Sequence, residues 1–509
     1  MLAKVITATV LGVDAQPVDV ECDVTGGFPS FDTVGLAELT VREARVRVRS
    51  AIRHSDLPFP KTRVVVNLAP ADLRKDGTSF DLPVALAVLQ ADGAIPPHAL
   101  DGWAVLGELS LTGAVRPVCG VLAVAEMVQR RGLRGLLCPI DNVAEAVVVP
   151  GVDVRVAATL GEVVRCLRGD QPWPTPAPGE APSRNRSALD WSDVRGHAVA
   201  KRALEIAAAG GHNVVMVGTP GTGKTMLARR IPTILPPLGP AESIEVTKVH
   251  SVAGLLPRGL GLLSDRPFRA PHHTVSGVAL VGGGTVPKPG EVSLAHRGVL
   301  FLDEFAEFPR HVVETLRQPL EEGVAHVTRA RQTTRFPARF MLVAASNGCP
   351  CGQLGSRDKP CVCSQIALDR YRARMSGPIL DRIDIQIQLR ALPAEALRQG
   401  PVGETSAAVR QRVTAARDRQ GARFRGLGGG VNAEVPMRRL QELSPLTPSV
   451  HDLLLRALSR FGLSPRAHDR IWRVARTIAD LDCADAIAAE HIAEALQYRH
   501  FDEPVAQAA

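Results

Sequence analysis

At 509 residues the chain exceeds one ordinary core and should divide into about two to four domains. Hydrophobic residues at 45% and charged residues at 22% are those of a soluble globular protein, and no apolar run reaches the ~18 residues of a membrane span. Lys+Arg 60 against Asp+Glu 52 leaves +8, a balance compatible with a polyanionic partner, although surface Lys and Arg more often serve solvation alone.

The first segment, Val5 to Leu11, superficially mimics the apolar region of a signal peptide. Asp14 follows almost at once and no small-residue cleavage site is present, so it reads as an edge strand and the expected location is the cytoplasm. Strands are expected at 63–67 and 103–107 and helices at 82–89 and 121–128, an α/β domain over residues 1–170. Between them, Lys75-Asp-Gly-Thr-Ser79 and the run Gly107 to Gly120 resemble the proteolytic domain of Lon-type Ser/Lys proteases, a ribosomal S5 domain 2-like fold. Ser79 matches the nucleophile position. The lysine that would activate it should lie just beyond the Pro117–Gly120 turn, and that position is Leu122. Leucine cannot take a proton, so the resemblance implies the fold without the proteolysis.

Prolines 172, 174, 176, 178 and 182 mark residues 171–188 as an extended linker. An Ala-rich helix over 198–209 then leads to the apolar strand 213–217 and to Gly218, Thr219, Pro220, Gly221, Thr222, Gly223, Lys224, Thr225 and Met226. This is the pattern of a P-loop between a strand and a helix. Backbone N–H groups and Lys224 would cradle the phosphates of ATP, and the Thr225 hydroxyl would face Mg²⁺. A Gly-rich turn that happens to end in Lys-Thr is the plainer alternative, and the residues downstream argue against it. About eighty residues on, Gly298-Val-Leu-Phe-Leu-Asp-Glu304 delivers two acids at the end of a buried strand: Asp303 for the Mg²⁺ water shell, Glu304 for the attacking water. The strand 340–346 ends in Asn347, which either bonds the γ-phosphate or water, or simply closes a turn. Arg382 stands just before the strand 383–389.

P-loop, acidic pair, Asn and Arg in this order form the AAA+ ATPase pattern. The stretches 268–274 (FRAPHHT), 278–284 (VALVGGG), 289–296 (PGEVSLAH) and 377–384 (GPILDRID) resemble Mg-chelatase-like AAA+ ATPases of the YifB/ComM type, over essentially the whole chain. The resemblance implies an αβα P-loop core over 189–391 and a helical lid over 392–509 that covers the nucleotide. It also implies a homo-hexameric ring in which Arg382 is the arginine finger for a neighbour's ATP, with Arg466 as a sensor-2 arginine.

Two insertions stand out. Residues 272–290 carry Gly282-Gly-Gly284 and Lys288, and 324–339 reads as a hairpin with Arg329, Arg331, Arg335 and Arg339. In rings of this type such loops line the pore. Lys288, Arg329, Arg331 and Arg335 could track the backbone of single-stranded or branched DNA, or be no more than a solvated face. Cys349, Cys351, Cys361 and Cys363 are the cluster among nine cysteines; four thiolates suit one Zn²⁺, yet the single-residue gaps strain chelation and reduced, unmetallated cysteines remain the alternative. The helices expected at 408–419, 450–461, 466–480 and 488–499 form a small bundle around Ile471, Val474, Ile478 and Leu481, with a flexible connection at 426–430. The leading functional reading is a ring ATPase that moves or remodels DNA, as ComM-type motors do in branch migration. A metal-chelatase motor subunit and a protein-remodelling ring stay open, because all three share one ATP site.

Overall fold

The computed structural model describes residues 2–35, 39–73, 75, 77–176, 189–284, 287–329, 332–356, 359–375, 379–392, 403–427 and 430–499. Among them no helix is long and apolar enough to cross a membrane. Most of the linker (177–188), residues 428–429 of the expected flexible connection, and Arg331 lie outside these ranges.

The N-terminal strands are β1 (Leu2–Leu11), β2 (Asp14–Thr25), β3 (Ser30–Val34), β4 (Arg63–Ala69), β5 (Trp103–Val105), the short antiparallel pair β6 (Glu108–Leu109) and β7 (Val115–Arg116), β8 (Gly135–Pro139) and β9 (Asp153–Ala157). Seven of them form one mixed sheet in the order β3-β4-β2-β1-β5-β8-β9. The expected edge strand is therefore an interior one. Antiparallel β2 flanks β1 on one side, parallel β5 on the other, and Val5, Thr7 and Ala8 are buried. Composition shows that a strand exists, whereas its neighbours are set by chain elsewhere.

Helix Asp81–Ala91 is buried at every position and packs on β1 and β2, as a segment apolar all round must. Its buried Asp81 is held by a two-pronged bond from Arg47, at 2.7 and 2.9 Å. Ser79 sits half-buried just before this helix. Leu122 is fully buried within the core, and Lys75, also buried, donates its ammonium to the Pro70 carbonyl.

The second sheet contains β10 (Val214–Gly218), β11 (Phe268–Arg269), β14 (Val299–Leu302), β17 (Met341–Ser346) and β18 (Ile385–Leu389), all parallel, in the order β11-β14-β17-β10-β18. Two satellite pairs, β12 (Gly282–Gly283) with β13 (Lys288–Pro289) and the hairpin β15 (Val324–Arg329) with β16 (Gln332–Pro337), occupy the two insertions. Period-two alternation divides the strands between two cores. Val214, Met216, Val343 and Ile385 face the helices Ala198–Gly210 and Lys224–Ile234 and the C-terminal bundle. Val215, Val217, Leu342 and Ala344 face Leu280, Phe305 and the hairpin residue Phe336.

The C-terminal helices Ser406–Arg423, Met437–Leu443, Pro448–Phe461, Pro465–Leu481 and Ala489–Leu496 join the first of these cores through Val413, Leu454, Ile471, Ile478 and Ile492. A buried polar node ties bundle to sheet. His212 bonds Asp384 at 3.1 Å and Thr477 at 2.8 Å, while Arg470 pairs with the same Asp384. Burial alone would raise the Asp384 pKa, but Arg470 and His212 outweigh it and hold the carboxyl below its usual range. A depressed carboxylate contributes stability above its unfolded pKa, and that contribution is lost as pH falls through the folded value. Replacing Asp384 by Ala strands Arg470 and should cost about 3 kcal/mol, read as a fall of roughly 5–10 °C in the melting transition of the domain built on the second sheet. Asp384→Asn should fall by less. An unchanged melt in Asp384→Ala would remove the node from the stability of this core.

Candidate functional site

The C-terminal ends of β10, β14 and β17 bring the predicted residues together. Gly218 ends β10 where a Cβ would lie 2.6 Å from the Leu389 carbonyl oxygen, so the chain passes only as glycine. Residues 219–223 then loop into helix Lys224–Ile234, whose first turn presents free N–H groups to an anion. Lys224 folds back over this loop. Its ammonium donates to the carbonyls of Gly218 at 2.7 Å and Thr219 at 3.0 Å and to Asn347 Oδ1 at 3.2 Å, which uses all three protons. Burial lowers the Lys224 pKa against the pull of Asp303. Phosphate oxygens arriving here would replace neutral acceptors with charged ones.

Thr225 Oγ1 donates to Asp303 Oδ2 at 2.7 Å, and Asp303 Oδ1 accepts the backbone N–H of Glu304 at 3.0 Å. A hydroxyl and a carboxylate in contact beside a phosphate loop are hard oxygen donors of the kind Mg²⁺ takes, so these residues fit the ion. Glu304 follows in the left-handed backbone region, at φ 53°, and this turns its carboxylate out of the strand direction. There it meets His273, with Nδ1 3.1 Å from Oε2. Sequence reasoning passed over His273; the paired histidines of the 268–274 stretch were the available signal.

Arg382 and Arg466 are elsewhere. Arg382 closes a short turn before β18, and its carbonyl accepts from Asn213 Nδ2 at 3.0 Å, just ahead of β10. Val214 is level with Ile385 and Gly218 with Leu389, so Arg382 stands at the opposite edge of the sheet, a strand length of about 15–20 Å from the phosphate loop. Its guanidinium pairs with Glu321; burial and the nearby Arg317, Arg466 and Arg470 lower its pKa. Arg466 pairs with Asp381 at the same edge, and both arginines line a cavity of about 1200 Å³. The bundle is anchored beside the sheet by Asp384, Thr477 and Arg499, and Arg466, in the first turn of helix Pro465–Leu481, stands with Asp381 ahead of β18.

The four cysteines converge beside Asn347. All their sulfurs lie within 4.8 Å of one another, with Cys349–Cys351 at 3.4 Å, Cys351–Cys361 at 3.7 Å and Cys349–Cys361 at 3.7 Å. A tetrahedral tetrathiolate with Zn–S bonds of ≈ 2.3 Å has edges of about 3.8 Å. Backbone N–H groups of Gln353 and Val362 lower the Cys351 thiol to about 6. The strain expected of a one-residue gap is relieved by a turn in which Gly352 N–H bonds the Cys349 carbonyl at 3.0 Å. Gly352 also touches the P-loop: a Cβ there would stand 2.9 Å from Pro220.

Of the basic candidates, Lys288 on β13 and Arg335 on β16 are exposed, and Arg329 ends β15. The two insertions are neighbours, since a Cβ on Gly282 would lie 3.2 Å from Val327.

Comparison with known proteins agrees with this layout. Residues 190–397 match the family model described as magnesium chelatase, subunit ChlI; residues 20–142 match that for subunit ChlI of Mg-chelatase, and 403–499 that for the ChlI C-terminal part. The chain is 43% identical to YifB of Escherichia coli (strain K12) over 502 residues, covering 98% of this chain and 97% of the relative. It is 43% identical over 505 residues to the competence protein ComM of Haemophilus influenzae, covering 98% and 97%. Similarity to the magnesium-chelatase 38 kDa subunit of Rhodobacter capsulatus is 28% over 188 residues, 33% of this chain and 53% of that subunit.

Proposed function

The chain belongs to the YifB/ComM-type family of Mg-chelatase-like AAA+ proteins, and from that premise we propose that it hydrolyses ATP as a ring and uses the energy to move along or remodel DNA. The observation that carries the reading is the split site. Lys224, Thr225, Asp303, Glu304 and Asn347 meet at one edge of the sheet, while Arg382 and Arg466 stand at the other.

In this reading the P-loop N–H groups and Lys224 bind the β- and γ-phosphates. Thr225 and Asp303 would hold Mg²⁺, which when bound would neutralise phosphate charge. Glu304 accepts the proton of the water that attacks the γ-phosphorus as the bond to the ADP oxygen breaks. Arg382 of the neighbouring copy meets the charge that develops on the leaving phosphoryl group. The basic residues of the two adjacent insertions face the polyanion, and the Haemophilus relative's name as a competence protein supports nucleic acid as the substrate. A chelatase motor is the second reading, favoured by the family models; similarity to the chelatase subunit covers only a third of this chain. We also assign one structural Zn²⁺ to Cys349, Cys351, Cys361 and Cys363, fixing the loop that carries Asn347 against Pro220.

The first test is the steady-state ATPase rate at low and high salt with no DNA, single strands, duplex or a branched junction. DNA should raise the rate several-fold at low salt, and the gain should vanish at high salt and on replacing Arg329 and Arg331. A rate indifferent to every nucleic acid sinks the DNA reading. Glu304→Gln should abolish turnover while ATP still binds; retained hydrolysis would remove Glu304 from its role. Subunit mixing tests the split site. Lys224→Ala and Arg382→Ala chains should each be inactive alone, and randomly co-assembled they should recover up to about a quarter of the wild-type rate. No recovery from a co-assembled ring would mean that Arg382 does not act across the interface. Elemental analysis should find one zinc per chain, lost in Cys351→Ser with weakened nucleotide binding; a metal-free chain purified under reducing conditions with zinc supplied would reject the site.

A further inference from the structure

We infer that helix Leu39–His54 of the N-terminal domain is a docking ridge for the phosphate backbone of duplex DNA, separate from the insertions around the second sheet. This rests on the reading of DNA as the substrate and adds a second place at which the chain holds it. The helix, LTVREARVRVRSAIRH, has two faces. Val41, Ala44, Val48, Ala51 and Ile52 recur at helical spacing and are buried, and the helix packs against Asp81–Ala91. Arg45, Arg49 and Arg53 are exposed on the other side, four residues apart and therefore in one row.

A solvated helix face ordinarily mixes the two signs. Exposed arginines on other helices of this molecule do so: Arg310 pairs with Glu314 at 3.0 Å and Arg438 with Glu442 at 3.1 Å. The row 45, 49, 53 does the opposite. Like charges four residues apart repel and destabilise a helix, and among the described residues none of these three arginines forms an ion pair. Glu43 is the one acid in the helix, and Arg47 is spent on the buried Asp81. Arg49 lies over the Phe59 ring at 5.5 Å, which fixes its guanidinium at the surface. A repulsive row with no compensation inside the chain is complementary to a polyanion outside it.

The row also lies where its own chain does not cover it. Val5, Val20, Val105 and Leu137 face the core shared with helix Leu39–His54, whereas Ala8, Ala15, Ala104 and Leu136 face the core on the other side of the sheet. The second domain docks on that other side, where Ile244 packs into the core and Lys248 reaches Glu126. With a rise of 1.5 Å per residue the three guanidinium groups extend along about 12 Å, a length over which a duplex carries about seven phosphate charges. Guanidinium donors take phosphate oxygens two at a time. Single strands are held on open aromatic rings that stack the bases; here Phe59 is half-buried and already occupied by Arg49 and by Phe31, whose ring centroid is 6.3 Å away. The ridge therefore suits the duplex, through its backbone and without sequence preference.

The test is equilibrium binding of the full-length protein to a fluorescein-labelled duplex of random sequence, read by anisotropy between about 50 and about 200 mM salt. Wild type is compared with Arg45→Ala/Arg49→Ala/Arg53→Ala, with the lysine triple at the same positions, and with Arg438→Ala/Arg439→Ala/Arg456→Ala, which removes the same charge from exposed positions of the C-terminal helices. The alanine triple should bind duplex at least about tenfold more weakly at the lower salt, and its slope of log affinity against log salt should flatten by about 3. The lysine triple should recover most of the affinity, and the C-terminal triple should bind as wild type. Wild-type affinity and slope in the alanine triple overturn the inference. So does an equal loss in the C-terminal triple, which would mark net charge alone, or in the lysine triple, which would mark damage to the helix. A loss confined to single strands, or to vesicles of anionic phospholipid while duplex binding stays intact, also overturns it. If the wild type binds no duplex, the DNA reading itself has failed; if it binds and the alanine triple binds equally well, only this inference has.

Discussion

The direction of one parallel sheet governs the rest of this molecule. Because β11, β14, β17, β10 and β18 all run the same way, every group that follows a strand gathers at one edge, and every group that precedes one gathers at the other. Lys224, Asp303, Glu304 and Asn347 follow strands; Asn213, Arg382 and Asp384 precede them. A single chain thus carries the loop 218–225 with its acidic partners at one edge and, about a strand length away, the arginines 382 and 466. The proposed ring is the arrangement in which the two edges would meet.

At the phosphate edge the resting groups are all occupied. Lys224 is satisfied by two loop carbonyls and Asn347, Thr225 by Asp303, and Glu304 by His273. Burying an ammonium without partners would be costly, so the loop supplies neutral ones that charged phosphate oxygens can displace. At the other edge Glu321 and Asp381 do the same for Arg382 and Arg466. At both edges the charged groups have internal partners, so in the proposed function binding would be an exchange of partners rather than the filling of bare charges.

The P-loop, the acidic pair and the strand-ending Asn were legible because their chemistry is local: a strand, a turn and a helix in one continuous stretch. The hairpin 324–337 was legible for the same reason. What sequence could not supply was adjacency. The interior position of β1 depends on β5, nearly a hundred residues away in the chain. The C-terminal bundle is tied to the sheet by the buried carboxylate of Asp384, which His212 and Arg470 share, and periodicity within helix 466–480 is silent about that. His273 acquires meaning only from β11 lying beside β14. The cysteine spacing looks unfavourable in the sequence because one intervening residue strains chelation by both sulfurs, whereas the turn at Gly352 brings Cys349 and Cys351 together.

Adjacency also governs the N-terminal domain. Leu122, just after the turn 117–120, is buried in the core. The polar groups around that turn bond to the helix Pro240–Val252. Gly120 N–H donates to Ser251 Oγ at 3.0 Å, Ser251 donates to Glu145 at 2.6 Å, and Glu145 also accepts from Asn142 at 2.7 Å. Burial raises the Glu145 pKa against these hydrogen bonds. Lys248, on the same helix as Ser251, bridges to Asp14 at 3.1 Å and Glu126 at 2.7 Å. Nearby, Val13 packs into the core that holds Phe336, at the foot of the β15–β16 hairpin. A lysine in place of Leu122 would bring an ammonium into this packed region, where the backbone N–H of residue 122 faces Glu145 at 3.4 Å, and burying that charge would carry a desolvation cost. The contacts of Gly120, Glu145 and Lys248 with helix Pro240–Val252 and of Val13 with the core under the hairpin join the N-terminal sheet to the second one.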